Sequence, residues 1–316
     1  MVGVRPRPAA ESITALSKGV RAISDDHVPR NAPGTTTHQA PHGTYGLRLT
    51  GVDGAGRLLD RCRPDWPSLH VCRAAPADAA TECDGDSATV VRLDSGAVVS
   101  VDAASARARV RLGAIAGTPT DEELVHPFLF GAAAVANMWL GRQTFHAGAF
   151  GVDGAAWAMA GHKGAGKTST LALVARHAAA VLTDDLLVID DGDVLAGPAC
   201  LDLRGDAATR LEIGRDLGVV GTRRRWRQVV APAPTRTPLA GWIYPAWGDR
   251  IDVGPIGPTE RLRLLFAAQA LRIAPLAPAA MIELATLPAV RFVRPRDWRE
   301  ADTAARRLLD AIAAMQ

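Results

Sequence analysis

The chain has 316 residues, with 36 Lys+Arg against 33 Asp+Glu, 48% hydrophobic and 22% charged residues. This is the makeup of a folded globular protein and not of a disordered one. The length suits one large domain or two smaller ones. A formal charge of +3 without single-sign blocks leaves no footprint for nucleic acid or an anionic membrane. The longest apolar run, Phe128 to Leu140, falls short of the ~20 residues that span a bilayer. No signal peptide is visible. The four cysteines, Cys62, Cys72, Cys83 and Cys200, match no common zinc spacing. A cytoplasmic protein with reduced thiols is therefore expected. Only three lysines, Lys18, Lys163 and Lys167, stand among the arginines. GC-rich codon usage explains the trend, and makes each retained lysine a candidate for a specific chemical role.

Residues 1–43 read as a flexible N-terminal extension. A short helix is expected over Ser12–Ile23, followed by a Pro/Gly/Thr-rich linker. Residues 44–118 form a β-rich region. Alternation marks strands at Gly46–Thr50, Ala88–Leu93, Ala97–Val101 and Arg107–Leu112. Asp94-Ser-Gly reads as a hairpin turn between the second and third of these. The fourth reads as an edge strand with one arginine face, and further turns are expected around Asp53-Gly-Ala-Gly and Asp84-Gly-Asp.

From 119 to 316 strands and helices alternate, which predicts an α/β domain built on a mixed sheet with flanking helices. Thr120-Asp-Glu-Glu is an N-cap followed by acids in the first turn, and a helix follows through Phe128–Leu140. Strands are expected at Thr144–Phe150 and Ala155–Gly161, joined by a turn at Val152-Asp-Gly. Next come a helix over Thr168–Ala180, a strand over Ala180–Asp190 and a hairpin turn at Asp190-Asp-Gly-Asp. Helices over Thr259–Ile273 and Asp297–Met315, with a strand over Ala289–Val293, complete the chain.

Gly161-His162-Lys163-Gly164-Ala165-Gly166-Lys167-Thr168 satisfies G-x-x-x-x-G-K-[ST] between an apolar strand and a helix, as a phosphate-binding loop requires. Glycines let successive backbone N–H groups turn inward toward phosphate oxygens, and the helix N-terminus adds partial positive charge. Lys167 is expected on the β/γ phosphates and Thr168 on Mg²⁺, with Ser169 completing the nucleotide-binding stretch. The alternative is a Gly-rich turn without ligand. No lysine follows an asparagine, so a GTPase base-reading motif is absent, and no Leu-Ser-Gly-Gly-Gln stretch of the ABC type occurs.

Asp184-Asp185 comes 17 residues after Lys167, on the strand directly following the loop's helix. Adjacent side chains at a strand end point to opposite faces, so the two carboxylates are expected to divide two jobs, one on the metal and one toward the acceptor. His146 lies one strand upstream of the loop.

The succession His146-Ala-Gly, Gly161–Thr168 and Thr183-Asp-Asp-Leu-Leu resembles the HPr serine kinase superfamily, whose core is shared with ATP-dependent phosphoenolpyruvate carboxykinases. Weaker similarity runs through Cys200-Leu-Asp-Leu-Arg-Gly-Asp-Ala. His126-Pro-Phe and Leu287-Pro-Ala-Val-Arg-Phe-Val-Arg-Pro-Arg-Asp look like the small HPr-kinase-like proteins of peptide-tailoring (lasso peptide) clusters. The resemblance implies an ATP- and Mg²⁺-dependent kinase acting on a hydroxyl of a peptide or related natural-product intermediate. It makes one aspartate of the pair the general base and the other a Mg²⁺ ligand with Thr168. Asp184 is favoured as base and Asp185 on the metal, with the reverse order open. It places His146 near the transferring phosphate or the metal. Arg204, or one of Arg223, Arg224 and Arg225, would neutralise charge in transfer. A Gly-Arg-Asn segment of the bifunctional HPr kinase/phosphorylases is absent, which argues against HPr as substrate. A metabolite kinase and a non-catalytic nucleotide-binding accessory module are the alternatives. A homo-oligomer is compatible with all three readings.

Overall fold

The computed structural model describes residues 41–73, 88–92, 97–102, 106–112, 118–271 and 278–315. The expected helix at 12–23, the turns at 84–86 and 94–96 and Cys83 lie outside the described residues, as does nearly all of the expected extension.

A first sheet holds β1 (His42–Thr44), β2 (Leu47–Thr50), β3 (Asp60–Arg61), β4 (Ser68–Arg73), β5 (Ala88–Arg92), β6 (Ala97–Asp102) and β7 (Arg107–Leu112). Their spatial order is β3-β1-β2-β4-β7-β6-β5. β5 and β6 pair antiparallel, Val90 opposite Ser100, as the alternating pattern predicts. β7 shows the expected arginine face, with Arg107 and Arg109 exposed and Ala108 buried. It is not an edge strand, however: β4 flanks it on one side and β6 on the other. The segment around Asp53 is a 3-10 turn, Asp53–Leu58.

Thr120 caps the next helix, α1 (Asp121–Glu123). Its hydroxyl accepts from Glu123 N while Glu123 Oε2 accepts from Thr120 N, a reciprocal capping box. The helical path breaks at His126, whose φ of −151° and ψ of 121° are extended. A residue before proline is pushed out of the α region, and Pro127 supplies that constraint. Helix α2 (Leu129–Trp139) follows. Its residues Ala132 to Ala136 and Asn137 are all buried, as expected of a helix apolar on every side. It packs between the first sheet (β5, β6) and the second (β8, β11, below).

The second sheet is built from β8 (Gln143–Val152), β9 (Ala155–Ala160), β10 (Ala180–Thr183), β11 (Leu186–Asp190), β12 (Asp193–Leu195), β16 (Arg236–Trp247), β17 (Asp252–Pro255) and β18 (Ala289–Arg294). β16 runs parallel to β9 and β18, and the other pairs are antiparallel. A third, antiparallel sheet has the order β13 (Cys200–Leu203), β15 (Arg223–Val229), β14 (Arg215–Val220). The remaining helices are α3 (Lys167–Ala175), α4 (Gly205–Leu211), α5 (Pro258–Ala268), α6 (Pro278–Thr286) and α7 (Ala301–Ala313). The fold is thus mixed α/β.

Four spans differ from expectation, one being Asp297–Met315, which opens on a 3-10 turn at Trp298–Glu300 before helix α7. Helix α3 ends at Ala175 and not Ala180, because Ala178 takes a left-handed φ of 65° and turns the chain into β10. Helix α5 stops at Ala268, short of Ile273. The strand expected over 180–190 is two strands, β10 and β11, both paired with β8 and interrupted at Asp184-Asp185. α7 lays Ala304, Ala305, Leu308 and Ile312 into a core shared with Leu171 and Val174 of α3 and Val290 and Phe292 of β18. This packing fixes α3 against the sheet. Among the described residues no helix is long and apolar enough to cross a membrane.

Candidate active site

Gly161 to Gly166 link β9 to α3. The turn needs glycine most at 166, where φ is +81° and a Cβ would stand 2.4 Å from Arg294 Nη2 and 3.1 Å from the Trp247 ring. Those two side chains brace the turn from outside. Trp247 Nε1 donates to Gly164 O at 3.0 Å, and Arg294 Nη2 donates to Ala165 O at 2.6 Å and to Thr170 Oγ1 at 3.2 Å. The Arg294 guanidinium lies 4.2 Å from the Trp247 ring centroid and 4.9 Å from that of Phe292. It has no carboxylate partner among the described residues, and burial pulls its pKa down to about 10.

Lys167 folds back into the turn, its Nζ donating to Gly161 O at 2.8 Å. It is only 8% exposed. Burial lowers the pKa of the ammonium, opposed by the nearby Asp185 and Asp184 charges. Thr168 donates its hydroxyl to Asp184 Oδ1 at 2.7 Å, which ties the start of α3 to the break between β10 and β11. Gly148 of β8 permits that break to approach, since a Cβ there would lie 2.7 Å from the Asp184 carbonyl oxygen.

The two aspartates sit in different surroundings. Asp184 is 3% exposed, and its Oδ2 accepts the Asp202 N–H at 3.3 Å. Burial, reinforced by the charge of Asp185, pushes its carboxyl up to about 8, against the Thr168 and Asp202 hydrogen bonds. Asp185 is a quarter exposed at its side chain and lines a cavity of about 1130 Å³.

Behind the pair lies a charged cluster that no local sequence pattern announces. Asp202 of β13 is gripped by Arg227 of β15, Nε to Oδ1 at 2.8 Å and Nη2 to Oδ2 at 3.0 Å, with Arg225 Nη1 at 3.5 Å. Burial alone would raise the Asp202 carboxyl. His126 and the two arginines outweigh it, so its pKa is lowered. Arg227 also donates to the His126 carbonyl, which the break before Pro127 leaves outside any helical ladder. His126 Nε2 lies 3.7 Å from Asp202 Oδ2 and 3.9 Å from Asp185 Oδ2. Burial lowers the imidazole pKa more than these acids raise it. The one available signal was the run Arg223-Arg-Arg-Trp-Arg227: on a strand, residues 225 and 227 share one face, and both are buried.

Of the residues expected in the site, Gly161, His162, Lys163, Gly164, Gly166, Lys167, Thr168 and Ser169 line the cavity. Ala165 is fully buried and contributes its carbonyl to Arg294. His146 also lines it, its ring edge-to-face with Phe130 at 5.7 Å. Arg204 faces the cavity from the N-terminus of α4. The arginine triplet divides. Arg223 and Arg225 reach the cavity wall, while Arg224 turns outward to Asp216 and the Trp226 ring. Magnesium fits the donor set chemically: Thr168 supplies a hydroxyl and Asp184 and Asp185 supply carboxylates, the hard oxygen ligands that this ion takes.

No family model matches the chain, and no curated protein matches it. Among solved structures, the chain is similar to the Hpr(Ser) kinase/phosphatase from Coxiella burnetii. The two share 11% identity, with 54% of this chain and 99% of that chain covered and a TM-score of 0.25.

Proposed function

We propose that the protein is an ATP- and Mg²⁺-dependent kinase that transfers the γ-phosphoryl group to a hydroxyl of a peptide or related natural-product intermediate. The observation that carries this reading is the junction of β9 and α3. There a Gly-Lys-Thr turn directs Thr168 onto one of two adjacent aspartates, and the other aspartate faces the cavity. Backbone N–H groups at Gly164 to Thr168 and the N-terminus of α3 would receive the phosphates, with Lys167 swinging from the Gly161 carbonyl onto them. Thr168, with Asp184 behind it, would hold magnesium, which neutralises phosphate charge when bound.

The two aspartates exchange the roles expected of them. Thr168 and the Asp202 amide occupy the oxygens of the buried Asp184, whereas an acceptor hydroxyl in the cavity can reach Asp185. Asp185 takes the hydroxyl proton as the acceptor oxygen forms its bond to the γ-phosphorus and the bond to the departing ADP breaks. Arg204 and Arg223, which line the same cavity, offset the charge on the transferring group. The cavity of about 1130 Å³ is lined by the Gly161–Ser169 stretch as well as by Asp185, Arg204 and Arg223, so nucleotide and acceptor would share it.

The test is mass spectrometry of hydroxyl-bearing peptides, free amino acids and sugars after incubation with enzyme, ATP and Mg²⁺. A phosphate-sized gain on a peptide, lost in Lys167→Ala, is the expected result. Gain only on metabolites would move the acceptor class, and equal transfer by Lys167→Ala would overturn the kinase reading.

A further inference from the structure

Among the described residues the buried arginines are Arg225, Arg227 and Arg294. The first two have Asp202 as counterion. Arg294, 7% exposed, has no carboxylate among the described residues. Its N–H groups donate to Ala246 O at 3.2 Å, to Ala165 O at 2.6 Å and to Thr170 Oγ1 at 3.2 Å. The rings of Trp247 and Phe292 lie against it. Every one of these partners is neutral, and burial lowers its pKa with no anion opposing. A buried charge without a counterion is costly, yet the fold keeps one directly beneath the Gly161–Thr168 turn.

The hydrogen bonds show what the charge does there. Across a planar trans peptide the C=O and N–H point in opposite directions. With the guanidinium on Ala165 O, the Gly166 N–H therefore points away from Arg294, and Gly166 lines the cavity. A second chain runs from Arg294 through Thr170, whose hydroxyl donates to Gly166 O at 2.9 Å. It ends on the peptide that carries the Lys167 N–H. A cation at the head of such chains polarises each bond in turn and makes the far N–H groups stronger donors. Trp247 steadies the preceding peptide through Gly164 O at 3.0 Å.

We propose that Arg294 is a positioning residue and the built-in countercharge for bound phosphate. Through Ala165 O and through Thr170 it strengthens the Gly166 and Lys167 N–H groups as phosphate donors. Bound phosphate in turn supplies the negative charge that the buried guanidinium lacks. This rests on the phosphate-binding half of the proposed function and on no step of transfer.

The experiment titrates inorganic pyrophosphate into the full chain by calorimetry, in chelator and without nucleotide, beside urea unfolding of the same samples. Arg294→Met keeps the stem and removes the charge, whereas Arg294→Lys keeps the charge. Pyrophosphate affinity should fall ~10-fold or more in Arg294→Met and recover most of that loss in Arg294→Lys. In wild type carrying isotope-labelled glycine, the Gly166 amide proton should move downfield as pyrophosphate binds. A brace without an electrostatic role would cost the two variants equal affinity, or lower the urea midpoint of Arg294→Met and leave affinity unchanged. Either result would overturn the inference. So would a Gly166 resonance that pyrophosphate leaves in place, or a wild type that binds no pyrophosphate. Should Arg294→Met fail to fold, the Gly166 resonance in wild type and in Arg294→Lys decides the matter. Absence of transfer to any acceptor, with pyrophosphate binding still dependent on Arg294, would remove the kinase reading alone. Transfer by wild type, with unchanged pyrophosphate affinity in Arg294→Met, would remove this one alone.

Discussion

Replacing Asp184 with Asn removes an ionisable group from the buried carboxyl beside the Gly161–Thr168 turn, and the effect on stability depends on pH in a fixed direction. The carboxyl is pushed up to about 8 by burial and by Asp185, from an ordinary value of 3.8. The native state therefore keeps a proton that the unfolded chain has already released. With the folded pKa raised, stability is full below about pH 4, falls as pH rises toward 8 and then levels. One proton corresponds to a slope of ~1.4 kcal/mol per pH unit. Asparagine cannot ionise, so the variant lacks this slope. It keeps an acceptor for Thr168 but turns its amide N–H₂ toward the Asp202 N–H, a loss of roughly 1 kcal/mol at every pH. Urea unfolding in chelator without nucleotide, at several pH values from 5 to 7, separates the slope from the offset. The gap should move in the variant's favour by ~1.4 kcal/mol for each pH unit. Parallel stability curves for variant and wild type would refute the placement of Asp184 as a buried, proton-holding group.

Gly166→Ala forces a Cβ into a residue at φ +81° and to 2.4 Å from Arg294 Nη2. It should lower stability by about 1–3 kcal/mol and abolish binding of a fluorescent ATP analogue, read by thermal melting and by titration. Arg227→Leu leaves Asp202 buried without its two-pronged partner and should cost about 3–5 kcal/mol in urea unfolding. Arg224→Leu, on the exposed face of the same strand, should leave the midpoint unmoved. Asp185→Asn should abolish phosphoryl transfer to any acceptor while nucleotide still binds; transfer at the wild-type rate would remove Asp185 from the chemistry.

Local features were legible in the sequence because their causes are local. The Thr120–Glu123 box, the alternation of β5, β6 and β7 and the glycine-bearing turn between β9 and α3 each rest on residues within a few positions of one another. The cluster behind the acidic pair was not legible. Arg227 meets His126 across a separation of 101 residues and Asp202 across 25, and no local pattern encodes which strands β15 will join. Read as a loop, Arg223-Arg-Arg-Trp-Arg227 is a solvated charge run. Read as a strand, it sends alternate guanidinium groups inward. The break at Asp184-Asp185 was hidden for the opposite reason, because the apolar run continues on both sides of it. Only the pairing of both halves with β8 shows that the chain steps out between Thr183 and Leu186.

The scarcity of lysine acquires a physical sense at this site. Where the structure needs a fixed, planar, multiply bonded cation, it uses arginine. Arg227 grips two oxygens of Asp202, and Arg294 lies against the rings of Trp247 and Phe292 while bonding two carbonyls and a hydroxyl. None of these partners is released without leaving a buried group unpaired, so such arginines act as fixed braces. Lys167 differs. Its compact ammonium donates to the Gly161 carbonyl, and it rides on a flexible stem that can exchange this bond for another acceptor. A guanidinium in the same slot, 8% exposed, would need room for a planar fork and partners for its five donors. The turn would then have to be rebuilt around it. Drift from lysine to arginine can therefore run freely over the surface and still stop at a position that demands a small, movable charge.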